Sequence, residues 1–155
     1  MVSDEQETRP GGIDPGLTRR LHDLVREHPD FEVIHEPTLY IYCFRYVPNG
    51  LAERQDEPEV QTQLDRLNQE IVEAIQRSGL APVMTTRIGD RVAIRMSICS
   101  QRTLEEDIDA TFEAIARWGR LLYLSNYVHN EKSAEMEKLS CSSESYSLAT
   151  EVSAT

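Results

Sequence analysis

The stretch Thr38 to Tyr46, TLYIYCFRY, constrains the fold of this chain more than any other. It is rich in β-branched and aromatic residues and is bounded by Pro37 and by Pro48-Asn49-Gly50, so it reads as a strand. Side chains alternate across a strand, which puts Leu39, Ile41 and Cys43 on one face and Tyr40, Tyr42 and Phe44 on the other. Both faces are apolar. Such a strand belongs inside a sheet with something packed on each side, not at a surface with one side in water.

The surrounding pattern supplies candidates for that packing. Asp14 followed by Pro15 reads as an N-cap with proline at the first helical position, and Leu17, Leu21, Leu24 and Val25 mark one helical face ending near His28-Pro29. Phe31 to Ile34 is a second strand candidate, and the polar stretch Leu51 to Pro58 reads as a loop. Val60, Leu64, Leu67, Ile71 and Ile75 recur at helical spacing up to Gly79. Pro82 to Arg87 and Arg91 to Ser100 flank Ile88-Gly89-Asp90 and read as a β-hairpin. Thr103-Leu104-Glu105-Glu106 reads as a capping box opening a helix through Leu104, Ile108, Phe112 and Ile115. The order is helix, two strands, helix, hairpin, helix. It predicts an α+β two-layer domain with a mostly antiparallel four-stranded sheet and about three helices on one face. Residues 1–12 are expected to form a flexible lead, 13–129 the domain, and 130–155 a disordered tail, because serine and glutamate replace apolar periodicity there.

Composition narrows the function classes. A net charge of −11 would repel a phosphate backbone, so nucleic acid is not an expected partner. No apolar run approaches the roughly 18 residues that span a bilayer, which points to a soluble, cytoplasmic protein. Cys43, Cys99 and Cys141 are widely spaced without a C-x-x-C pair, so neither a disulfide framework nor a metal site is indicated, and the first two are expected to be buried thiols. His22, His28, His35 and His129 lack a neighbouring nucleophile or ligand pattern and are expected at the surface or at helix ends. His35-Glu36 is expected in a solvated turn.

One side chain stands out. In Arg91 to Ser100, Val92, Ile94, Met96 and Ile98 share one face and Ala93, Arg95, Ser97 and Cys99 the other. Arg95 therefore sits mid-strand on the face turned from the helices, where its guanidinium is a ready fork for a carboxylate. An acidic neighbour or plain solvent would also accommodate it, and periodicity alone favours that reading over a ligand.

Two blocks carry a family resemblance. PTLYIYCFRYVP, Pro37 to Pro48, contains a C-F-R element at Cys43, Phe44 and Arg45, and RVAIRMSICSQRT, Arg91 to Thr103, has an arginine between alternating apolar residues followed by a polar link and a capped helix. LNQEIVEAI and SGLAPVMTTRI lie between them in order. From about Ile13 to Tyr127 the chain resembles the C-terminal small domain of group II pyridoxal-phosphate-dependent amino-acid decarboxylases. The resemblance implies a small domain or separate subunit that docks on a cofactor-bearing large domain, completes its substrate cleft, and uses Arg95 to meet the substrate carboxylate. Arg45 carries over only as part of the C-F-R block, with a structural ion pair as the open alternative. Pyridoxal phosphate is held as a Schiff base on lysine. Here the lysines are Lys132 and Lys138, both in the expected tail, so no catalytic or cofactor-binding residue is assigned to this chain and it is expected to be inactive alone. The competing reading is a stand-alone, non-catalytic module whose sheet face binds an amino acid or a second copy of the chain.

Overall fold

A computed structural model describes residues 12–144. Asp14 caps the first helix, α1 (Pro15–Glu27), by accepting the Gly16 N–H at 2.7 Å. The chain then runs through β1 (Phe31–Val33) and β2 (Ile41–Tyr46), a short helix α2 (Asn49–Ala52), the long helix α3 (Pro58–Ser78), the hairpin β3 (Val83–Ile88) and β4 (Arg91–Ser97), and helix α4 (Glu105–Tyr123). A π-helical turn, Leu124–Val128, leads into α5 (His129–Glu144). Gly79 ends α3 with φ of 68° and Gly89 turns the hairpin with φ of 60°, both in the left-handed region where a side chain is strained.

The four strands form one antiparallel sheet in the order β1-β2-β4-β3. This is the expected α+β two-layer arrangement, with α1, α3 and α4 on one face. The core between the layers contains Leu21 and Val25 from α1, Tyr42 and Phe44 from β2, Leu67, Ile71 and Ile75 from α3, Ile94 and Met96 from β4, and Ile108 and Ile115 from α4. A smaller cluster of Val47, Leu51, Val60 and Leu64 closes one end of the sheet.

Several boundaries differ from the pattern reading, each for a local reason. The strand begins at Ile41, not Thr38, because Thr38 and Ile41 close a tight turn through reciprocal backbone bonds and force Leu39 to a φ of 40°. Asn49–Ala52 is helical, since Leu51 finds an apolar partner set that a linear pattern does not reveal. The last long helix opens one residue later than expected. Its N-cap is Leu104, whose N–H donates to the Asp107 carboxylate at 2.8 Å, and Leu104 is exposed instead of on the core face. Residues 130–144, placed in the expected tail, are helical as part of α5. Alanine, glutamate, lysine and leucine favour a helix locally, while the described side chains from Lys132 to Ser140 are all exposed and add nothing to the core. The remainder of the expected tail, 145–155, and the lead up to residue 11 lie outside the described residues.

Candidate functional site

The face of the sheet turned away from the helices is built from alternate residues of all four strands. Register places Cys43 of β2 opposite Arg95 of β4, and Met84 of β3 on its other side. Val92, Ile94 and Met96 are buried in the core, which fixes Arg95 on the opposite face, as alternation requires. Arg95 is partly exposed, and among the described residues it makes no hydrogen bond or ion pair. Its charge is felt by the Cys43 thiol, whose pKa is raised by burial and pulled part of the way back by the guanidinium. Around Arg95 the face is small or apolar: Ala93 and Cys43 are buried, Ser97 is partly covered, and Met84 is 57% exposed. Arg95 is thus a mid-strand cation, held by a rigid sheet, with no carboxylate against it.

Arg45 lies two residues further along β2 on the same face, yet its surroundings are opposite in kind. It is fully buried, and its Nη2 donates to Asp65 Oδ1 of α3. The same carboxylate oxygen accepts the Val92 N–H at 2.9 Å. At this end β2 and β4 no longer pair, and α3 inserts polar side chains at the gap. Asn68 accepts the Tyr46 N–H at 2.8 Å and donates to the Tyr46 carbonyl at 2.9 Å, standing in for a strand partner. Glu32 sits directly across from Arg45, and Arg91 holds Glu32 and Asp56 at 3.2 and 3.1 Å. Burial lowers the Arg45 pKa, and Asp65 and Glu32 act against that shift. Nε and Nη1 of Arg45 find no partner among the described residues. Arg45 therefore occupies the structural ion pair that the sequence left open as an alternative to ligand contact.

The other candidate residues fall into ordinary roles, with two corrections. His22 is not at the surface. It lies on the core side of α1, with Nδ1 at 3.0 Å from the Tyr42 hydroxyl and Nε2 at 3.6 Å from Glu36. Its position on the helical face after Leu21 was the available signal, and the hydroxyl that satisfies it comes from a strand distant in sequence. Cys99 is exposed, not buried, because β4 has ended at Ser97 and alternation no longer applies. Cys43 is buried as expected. His28 caps α1, and His35 bonds the Glu36 carbonyl in an exposed turn, so the two do not form a side-chain acid–base pair. Lys132 and Lys138 are both on α5, exposed. None of the four strands carries a lysine, so no amine for a cofactor aldehyde comes from the sheet itself. Among the described residues no group of three or more acidic, histidine or cysteine side chains could hold a metal ion. No described helix is long and apolar enough to cross a membrane.

No protein-family model matches the chain. Over 98 residues it is 29% identical to the aromatic-L-amino-acid decarboxylase of Bacillus atrophaeus, a match covering 62% of this chain and 19% of that protein. It is 27% identical over 104 residues to tryptophan decarboxylase 1 of Oryza sativa subsp. japonica, covering 67% of this chain and 20% of the relative. The solved structure of Oryza sativa TDC with PLP and tryptamine superposes with a TM-score of 0.62 at 24% identity, over 71% of this chain and 22% of that one, a likeness of fold. The chain spans about a fifth of the length of the curated relatives it matches.

Proposed function

We propose, from the chain's likeness to one region of the group II pyridoxal-phosphate-dependent amino-acid decarboxylases, that it is the small domain or subunit of such a carboxy-lyase. In this reading the cofactor belongs to a large domain or subunit carrying the Schiff-base lysine, and the open sheet face completes the substrate cleft from the other side. The observation that carries the proposal is Arg95, a mid-strand arginine on that face with no carboxylate partner among the described residues. Among the described residues Arg20, Arg26, Arg45, Arg54, Arg66, Arg77 and Arg91 pair with a carboxylate and Arg95 does not; its distinction is its place in mid-strand, opposite Cys43 and Met84. A rigid, planar, permanently charged fork left open toward a cleft is suited to bidentate capture of a substrate carboxylate.

The test is kinetic. In the assembled enzyme, Arg95→Ala should lower kcat/KM by the loss of a charge-assisted contact, about 1.5–3 kcal/mol or roughly 10- to 150-fold, with the fold retained. Arg95→Lys should recover part of that loss, because a point charge replaces the electrostatics but not the fork. Unchanged kinetics in the alanine variant would remove Arg95 from the cleft.

A further inference from the structure

Among the described residues, the buried side-chain polar atoms without a hydrogen-bond partner are Nε and Nη1 of Arg45, Oε2 of Glu32 and Oε1 of Gln55. They gather at the splayed end of the sheet. Arg45 is completely enclosed, with its remaining nitrogen, Nη2, given to Asp65. Glu32 stands directly across from it on β1, and in the strand order β1-β2-β4 the strand of Arg45 lies between Glu32 and Arg91. The Glu32 carboxylate therefore leans across β2, over Arg45, to place Oε1 at 3.2 Å from Arg91 Nη1. Nη2 of the same Arg91 guanidinium holds Asp56 at 3.1 Å, which brings the segment carrying Gln55 toward the same spot.

A buried donor or acceptor that gives up its hydration without gaining a hydrogen bond is destabilising, and more so when it is charged. Direct pairing of Arg45 with Glu32 Oε2 would satisfy both, yet the two side chains make no hydrogen bond. Each is held elsewhere: Nη2 of Arg45 is drawn to Asp65 of α3, and Glu32 is drawn to Arg91. The guanidinium is planar and rigid, so with Nη2 fixed its other N–H groups cannot be turned at will. The chemistry of a bridging group is narrowly defined. It must accept a hydrogen bond from Arg45 and donate one to Glu32. An anion would face Glu32 and Asp65, and a cation would face Arg45 and Arg91. Since Arg45 presents no accessible surface, the group is also small. A neutral molecule that both donates and accepts, and is no larger than water, meets all of these conditions.

We propose that the splayed end of the sheet is a binding site for an internal water molecule, which accepts an N–H of Arg45 and donates to Oε2 of Glu32, with its second proton turned to Oε1 of Gln55. Waters that make about three hydrogen bonds to otherwise unsatisfied buried groups are integral parts of folded proteins. This one joins β1 to β2 where the sheet is weakest, since β1 is only three residues long and the pairing of β2 with β4 stops at Phe44. The site is separate from Arg95 and stands or falls independently of the decarboxylase reading.

The decisive experiment is a pair of water-selective NOE and ROE spectra on the isotope-labelled full chain, read at the N–H protons of the Arg45 guanidinium. A water held for longer than the tumbling time of the protein gives cross-peaks of opposite sign in the two spectra, whereas passing surface water and proton exchange give the same sign in both. Opposite signs are expected in the parent chain. The cross-peak should be lost in Glu32→Leu, which removes the acceptor that the water needs. Cross-peaks of the same sign, no cross-peak in the parent chain, or one that persists in Glu32→Leu would overturn the proposal. So would a crystal structure of the full chain in which Glu32 or Gln55 bonds Arg45 directly.

Discussion

Arg45 and Arg95 lie on neighbouring strands, on the same face of one sheet, one register step apart, and their surroundings are opposite. Arg45 is sealed between the splayed ends of β2 and β4 and held by Asp65, which also takes the Val92 N–H. Arg95 is partly exposed at the regular centre of the sheet, between Cys43 and Met84, without an ion pair among the described residues. Residue type and strand position alone do not distinguish them. What separates them is whether a helix reaches that stretch of sheet. The α3 helix reaches the splayed end with Asp65 and Asn68, and nothing comparable covers the centre. An arginine with its own buried carboxylate is a structural element, and an arginine without one is available to a ligand.

The largest expected effect tests the buried half of this contrast. Asp65→Ala leaves a guanidinium buried with no counter-charge and orphans the Val92 N–H, so chemical denaturation should show a loss of about 3–5 kcal/mol, enough to unfold a marginal domain. Arg45→Met, which removes the charge and keeps the volume, should cost less than Asp65→Ala. If the two cost the same, the pair is not the reason Arg45 is buried.

Next is the packing that holds β2 over the helices. A Cβ on Gly119 of α4 would lie 2.7 Å from the Tyr46 ring, and that ring is buried and set edge-on against Phe31 at 5.1 Å, with no room to withdraw. Gly119→Ala should destabilise by about 1–3 kcal/mol despite its better helix propensity, a sign opposite to that at an ordinary exposed helical glycine. A melting temperature equal to or above that of the parent would show that Tyr46 moves freely.

The same tyrosine gives a pH dependence. Burial raises the Tyr46 hydroxyl from 10.0 to about 12, and Tyr42 is also raised by burial. A raised folded-state pKa means the stability is fully present below pH 10, where both states hold the proton, and is lost as pH climbs toward 12, where the unfolded chain ionises first. Stability should fall by roughly 1–2 kcal/mol across that window, and Tyr46→Phe should flatten the slope. A slope unchanged by the substitution would place the titration elsewhere.

The smallest effects lie on the open side. Arg95→Ala should change stability by less than about 0.5 kcal/mol, in contrast to the kinetic loss proposed for it above. Deleting residues 130–155 should leave the melting temperature nearly unchanged, since no described side chain of α5 belongs to either core cluster. A stability loss at Arg95 comparable to that at Asp65 would erase the distinction between the two arginines.

The sequence by itself determined the layers and the sidedness. Apolar spacing of three and four placed the buried stripes of α1, α3 and α4, and strict alternation in β4 put Val92, Ile94 and Met96 into the core and Arg95 out of it. Those rules act between residues near in the chain, so they are legible there. Tertiary structure decided what depends on distant partners. His22 is buried because Tyr42 supplies a hydroxyl from another strand, Leu51 is helical because Val60 and Leu64 shelter it, and Cys99 is exposed because β4 stops short of it. The same holds for the two arginines. Their roles diverge because α3 delivers Asp65 to Arg45 and no acid to Arg95, a delivery fixed by the packing angle of a helix against a twisted sheet and not by any pattern along the chain.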